Sequence, residues 1–130
     1  MTEESFWGDL ENVQIEPTPL IHLKEQASQL GKKTGGIIRG KVTRKTTPYQ
    51  GLTYCLNIVA PFLNNYEVSI LEVRYRLDAY PLKLEDMAKG KVYECSCEEE
   101  FLKDLKEILS SDQVRRIIIS LLSNSADWRK

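Results

Sequence analysis

Apolar and polar positions alternate most clearly over residues 52–75, LTYCLNIVAPFLNNYEVSILEVRY, the longest β-favouring run in the chain. Leu52, Tyr54, Leu56, Ile58 and Ala60 interleave with Thr53, Cys55, Asn57 and Val59. That is the period-two pattern of a strand with one buried face. Pro61 removes a ladder donor, and Asn64-Asn65 suits the turn that sends the chain back. A second run, residues 66–75, follows at once, so the two pair as an antiparallel hairpin. Its apolar positions change phase: Val68 and Ile70 share one face, while Leu71, Val73 and Tyr75 share the other. Either a bulge near Ile70-Leu71 restores the register, or both faces are covered there.

Helical periodicity flanks this hairpin on both sides. Thr18-Pro19 combines a capping hydroxyl with a proline at the first helical position. Leu20, Leu23, Ala27 and Leu30 then mark one stripe, and Gly31 before Lys32-Lys33 reads as a stop, which predicts a helix over residues 19–30. Near the C-terminus Ser96 and Glu99 fit a capping box ahead of the stripe Phe101, Leu102, Leu105, Ile108 and Leu109. Ser110 and Gln113 repeat that signal ahead of Val114, Ile117, Ile118, Leu121 and Leu122. The tail, residues 125–130, is polar apart from Trp128 and is expected to be frayed.

The remaining segments read as strands. Over residues 37–46, Ile38 and Val42 occupy one face and Arg39, Lys41 and Thr43 the other, a half-exposed strand. Tyr80, Leu82 and Leu84 alternate with Pro81, Lys83 and Glu85, and Pro81 restricts this strand to an edge or places itself at the strand's start. Residues 86–90 form a turn, and residues 92–95 the last strand. The expected fold is α+β: an antiparallel meander of about five strands, one N-terminal helix and two C-terminal helices packed mainly on one face. The expected core is Leu23, Leu30, Leu56, Ile58, Val68, Ile70, Phe101, Leu105, Ile108, Val114, Ile117 and Leu121. Three divisions follow: an arm over residues 1–16, a single domain over residues 17–124, and the tail.

Composition narrows the class. The chain has 130 residues, of which 42% are hydrophobic and 28% charged, ordinary values for a folded domain large enough to bury a core. A net charge of -1 argues against a dedicated nucleic-acid binder. No apolar run approaches the roughly 20 residues of a membrane span. The acidic start MTEESFWGDL lacks the basic and apolar regions of a secretory signal. Three cysteines, an odd number, suit a reducing compartment better than a disulfide framework, so the expected location is cytoplasmic.

Candidate chemistry is sparse. His22, Cys55, Cys95 and Cys97 have the residue types of a Cys3His zinc site, but C-x-C is not the usual knuckle and Cys55 lies within a strand. Carboxylates for acid-base work exist at Glu67, Glu72, Glu85 and Asp86. Glu72-x-Arg74 resembles only the last positions of the E-x-K signature of metal-dependent nucleases. Neither pattern assembles a site, so no catalytic residue, metal or cofactor is expected. A small metal-dependent hydrolase or nuclease is the remotest alternative.

Charge is unevenly placed. No acidic residue lies between Gln26 and Tyr66, whereas Lys32, Lys33, Arg39, Lys41, Arg44 and Lys45 are basic. Residues 1–16 are acidic without a basic residue, and Phe6, Trp7, Leu10 and Val13 fall at the spacing of one face of a short helix, which Gly8 weakens. That arm either docks on its own domain or lays its apolar face on a partner. The reading that follows is a protein-protein interaction or regulatory module, with Phe6, Trp7 and Leu10 as its contact residues. Immunity or antitoxin-like accessory proteins of bacteria are the class of role such a module fills. A sheet edge also offers a second copy a pairing surface. The alternative is nucleic-acid binding through Arg39, Lys41, Arg44 and Lys45, with Tyr49 or Tyr54 for stacking.

Overall fold

A computed structural model describes residues 4–48 and 50–129, with side chains through residue 126. The fold is α+β. Helix α1 (Pro19–Lys33) precedes strands β1 (Arg39–Arg44), β2 (Leu52–Ala60), β3 (Tyr66–Tyr75), β4 (Leu82–Asp86) and β5 (Lys91–Cys95), then helices α2 (Glu98–Leu109) and α3 (Asp112–Arg129). The five strands form one antiparallel sheet in sequential order, a meander joined by short connections.

The central hairpin forms where the alternation places it. A short 3-10 turn, Pro61–Leu63, follows β2, and Asn64 and Asn65 both take the left-handed backbone that reverses the chain, at φ 56° and 57°. The phase change in β3 is a bulge. Leu56 pairs with Leu71 but Asn57 pairs with Ser69, which leaves Ile70 as the extra residue. The bulge turns Ile70 onto the same side as Leu71, Val73 and Tyr75, and all four are buried in one core.

All three helices cover this side of the sheet. Leu23 and Ala27 of α1, Phe101, Leu105 and Ile108 of α2, and Val114 and Leu121 of α3 join Leu56, Ile58, Leu82, Leu84 and Cys95 in a continuous apolar cluster. Leu30, Val68 and Ile117, expected as core, pack against it while partly exposed. Ile38, Leu71, Val73, Leu82 and Leu84 are as deeply buried as any expected core residue.

Several local expectations are corrected. Residues 4–18 form bends and one turn rather than a helix, because Gly8 takes φ 73° and Asp9 hydrogen-bonds the Glu11 amide and the Asn12 side chain. Helix α1 passes through Gly31 to Lys33 and ends at Thr34, whose hydroxyl donates to the Leu30 and Ile38 carbonyls, both at 2.9 Å. The left-handed residues that release the chain are Gly35 and Gly36. Helix α2 starts one residue late: Cys97 occupies the cap position, and Glu100 rather than Glu99 reaches back to the Ser96 amide at 2.6 Å. Ser111, not Ser110, caps α3 by accepting from the Val114 amide at 3.3 Å. Tyr80 precedes β4 rather than belonging to it, with Pro81 just before the strand's start. Helix α3 runs to Arg129 with Ser125 fully buried, and Lys130, the end of the expected tail, lies outside the described residues.

Candidate functional site

With the helices on one side, no helix among the described residues covers the other side of the sheet, which is built mainly from the intervening polar residues. Strand alternation puts Arg39, Lys41 and Thr43 of β1, Cys55 and Asn57 of β2, and Glu67, Ser69, Glu72 and Arg74 of β3 on this open face. Two clusters engage all of these but Arg39. Near the hairpin end, the Asn57 side-chain amide donates to Glu67 at 2.9 Å and to Thr43 at 3.3 Å, and its carbonyl accepts from Ser69 at 2.7 Å. Lys41 completes the group with an ion pair to Glu67 at 3.4 Å.

The second cluster centres on Glu72. Its carboxylate receives Lys45 at 3.2 Å and the Cys55 thiol at 3.7 Å. Arg74 Nε lies 3.5 Å from Glu72, an ion-pair distance without an aligned hydrogen bond, and its Nη2 reaches Glu85 at 3.4 Å. Bonding to Glu72, then its charge, raises the Lys45 pKa. Burial first, and the Glu72 charge second, raise that of Cys55. The Cys55 thiol is therefore held protonated near neutrality, which opposes a nucleophilic role.

Sequence-selected charges fall in different places. Arg39, Lys41 and Lys45 share the open face, while alternation turns Arg44 to the opposite side. Lys32 and Lys33 lie in the last turn of α1. The six residues therefore do not make one patch. Tyr54 is on the helix-covered side, partly buried against Tyr75, and Tyr49 lies outside the described residues.

The metal-capable set is also dispersed. Cys55 sits on the open sheet face, Cys95 is buried beside Asp104, and Cys97 is exposed at the start of α2. His22 pairs with Glu98 at 3.1 Å and packs against Phe101. Of the acid candidates, Glu67, Glu72 and Glu85 are engaged with cations on the open face. Asp86 is buried at the end of β4, where it accepts from the Ala88 and Lys89 amides of the following turn. Sequence reasoning missed the Thr43-Asn57-Ser69 group. Asn57 was its signal, a polar side chain at mid-strand in an otherwise apolar run.

Phe6, Trp7 and Leu10 are 86%, 81% and 62% exposed. Val13 and Ile15 are exposed as well, so the described arm presents five apolar side chains to solvent. Comparison with protein-family models, with curated proteins and with solved structures finds no match to this chain.

Proposed function

We propose that this chain is a small intracellular protein-protein interaction or regulatory module whose contact element is the N-terminal arm. The observation that carries the reading is the joint exposure of Phe6, Trp7, Leu10, Val13 and Ile15 in a segment whose only charges are acidic. Scattered exposed apolar residues are ordinary, but two adjacent aromatics with three aliphatics close by form an unsatisfied surface. Aromatic anchors dominate binding energy when a partner desolvates them. The folded domain supplies a rigid base, since the arm joins α1 directly at the Thr18 cap.

The open sheet face favours a positioning role over chemistry. Its carboxylates are neutralised by Lys41, Lys45 and Arg74, and its thiol is held protonated. Nucleic-acid binding remains the second reading, supported by Arg39, Lys41 and Lys45 on one face. Two of those three cations are already paired with Glu67 and Glu72, which reduces their attraction for phosphate.

The test compares the intact chain with a chain lacking residues 1–16. Partners captured from the native host are identified, purified and titrated against both forms. Loss of binding on deletion supports the arm as the contact element. Retained binding without the arm, or a steeply salt-dependent shift of RNA or DNA with no protein partner, overturns it.

A further inference from the structure

The helix-covered side of the sheet is incompletely closed. Between the C-terminal half of α1 and the start of α3 lies a groove of about 360 Å³. Leu56, Ile58 and Ile70 form its floor, and Leu30 and Ile118 line its walls while partly exposed. Its rim carries the exposed cations Lys33 and Arg115. An apolar slot of this size accepts one or two large side chains. The same chain carries the complementary ligand, an arm with adjacent Phe6 and Trp7 and with Glu3, Glu4, Asp9, Glu11 and Glu16 as its charged side chains.

We infer that the groove receives the N-terminal arm of a second copy of this chain, giving a reciprocal dimer with exchanged arms. This inference rests on the arm being a contact element and names its partner. Two observations favour exchange over docking in the arm's own groove, and a third bears on the stability of the resulting dimer.

The first is the exit geometry. Pro17 and Pro19 restrict Glu16 and Thr18 to extended backbone, and Thr18 adopts φ -99° and ψ 167°. The arm therefore leaves α1 on extended backbone, and Phe6 and Trp7 toward its far end stay 86% and 81% exposed.

The second is reach. The Val13 amide donates to the Leu10 carbonyl at 3.5 Å, closing a turn in the middle of the arm. From Thr18 out to this turn is roughly 17 Å of extended chain, and the return to Trp7 is roughly 10 Å. Trp7, 81% exposed, thus stays outside its own groove, whose centre lies roughly 12–17 Å along α1 from Thr18. Stiff connections that prevent closure within one chain favour exchange between two.

The third is area. Phe6 and Trp7 bury about 150–250 Å² each when enclosed. Two reciprocal arms therefore remove roughly 600–1,000 Å² from the aromatics alone. Adding the groove surface they cover brings the total into the range of about 1,200–2,000 Å² found in stable interfaces. The acidic arm and the basic rim also steer the encounter.

The experiment is sedimentation equilibrium of the full chain from 1 to 200 μM, repeated for exposed-site variants that leave the core intact. Concentration-dependent dimerisation is expected. Trp7→Ala should weaken it at least tenfold, and so should the pair Lys33→Glu and Arg115→Glu. Adding Asp9→Lys and Glu11→Lys to that rim pair should restore association to within threefold of the original. In a Trp128→Phe background, Trp7 emission should shift to the blue as the dimer forms. A monomer throughout, or a dimer indifferent to both Trp7 and the rim, overturns the inference. So does a monomer with blue-shifted Trp7 emission that the rim reversal abolishes, since the arm then occupies its own groove. A monomeric chain that binds a different protein through residues 1–16 overturns the exchanged dimer and leaves the interaction-arm reading standing. Loss of both the dimer and any arm-dependent partner removes the two together.

Discussion

Gly40 of β1 lies directly beneath Ala27 of α1, so closely that a side-chain carbon at Gly40 would stand 2.6 Å from the Ala27 Cβ. This is the contact that lets α1 lie flat on β1. Both residues are small, and any enlargement must push the helix off the strand.

Gly40→Ala should therefore destabilise the fold by about 1–3 kcal/mol, the usual penalty for overpacking a rigid contact. Gly31 provides the control within the same pair of elements. A side-chain carbon there meets nothing closer than Arg39 Cβ at 3.8 Å, and Gly31 lies in helical backbone. Gly31→Ala should stabilise by about 0.4–1 kcal/mol through reduced freedom of the unfolded chain. Urea denaturation of the two variants should give opposite signs. Equal effects would mean that α1 does not sit on Gly40.

Ile58 and Leu105 occupy the middle of the cluster shared by sheet and helices, at 3% and 2% exposure. Truncating either to alanine should cost about 2–5 kcal/mol by removing transfer energy and leaving a cavity. Equilibrium unfolding checks this, and a loss under about 0.5 kcal/mol at both sites would place the core elsewhere.

The three thiols should separate in reactivity. Cys97 is exposed, whereas burial and then Glu72 raise the Cys55 pKa, and burial with the Asp104 carboxylate pushes Cys95 up to about 12. Alkylation mapped by mass spectrometry near pH 8 should proceed in the order Cys97, Cys55, Cys95. Glu72→Gln should accelerate labelling of Cys55 and leave Cys95 unchanged, because it removes a charge that disfavours only the Cys55 thiolate. Labelling of Cys95 ahead of Cys55 would contradict the buried placement.

Cys95 also sets an alkaline limit. Its pKa is raised on folding from 9.0 to about 12, so the folded state keeps a proton that the unfolded state has lost. The resulting stability is fully present below pH 9 and declines as pH rises toward 12. Tyr80, raised from 10.0 to about 12 mainly by burial, acts in the same direction at slightly higher pH. Denaturation midpoints measured from pH 7 to 10.5 should fall above pH 9, and Cys95→Ala should flatten that part of the curve. A flat profile in the original chain would show that Cys95 is solvated.

Removal of residues 1–16 should leave the domain's melting temperature within about 2 °C at low micromolar concentration, because exposed terminal segments contribute little to folding. Thr18 and its cap remain in place. A fall of more than about 5 °C that does not depend on protein concentration would mean the arm packs on its own domain.

The alternation of residues 52–75 determined the central hairpin and its turn, because a strand with one buried face must keep its apolar set on one side. It marked a phase change at Ile70-Leu71, and the tertiary pairing resolved that as a bulge. The stripes of α1, α2 and α3 were legible for the same reason, and with them the α+β class. Helix ends shifted by one or a few residues, since neighbouring serines and glutamates offered nearly equivalent caps and tertiary contacts chose among them. The burial of Leu82, Leu84 and Cys95 depended on which face the helices cover, a choice the local pattern leaves open. The same choice separated Arg44 from Arg39 and Lys41 and gathered Thr43, Asn57 and Ser69 from three strands. The groove between α1 and α3 depended on tertiary packing alone. Its floor, walls and rim come from residues as far apart as Leu30 and Ile118, and no local periodicity encodes the gap left when two helices pack on one sheet.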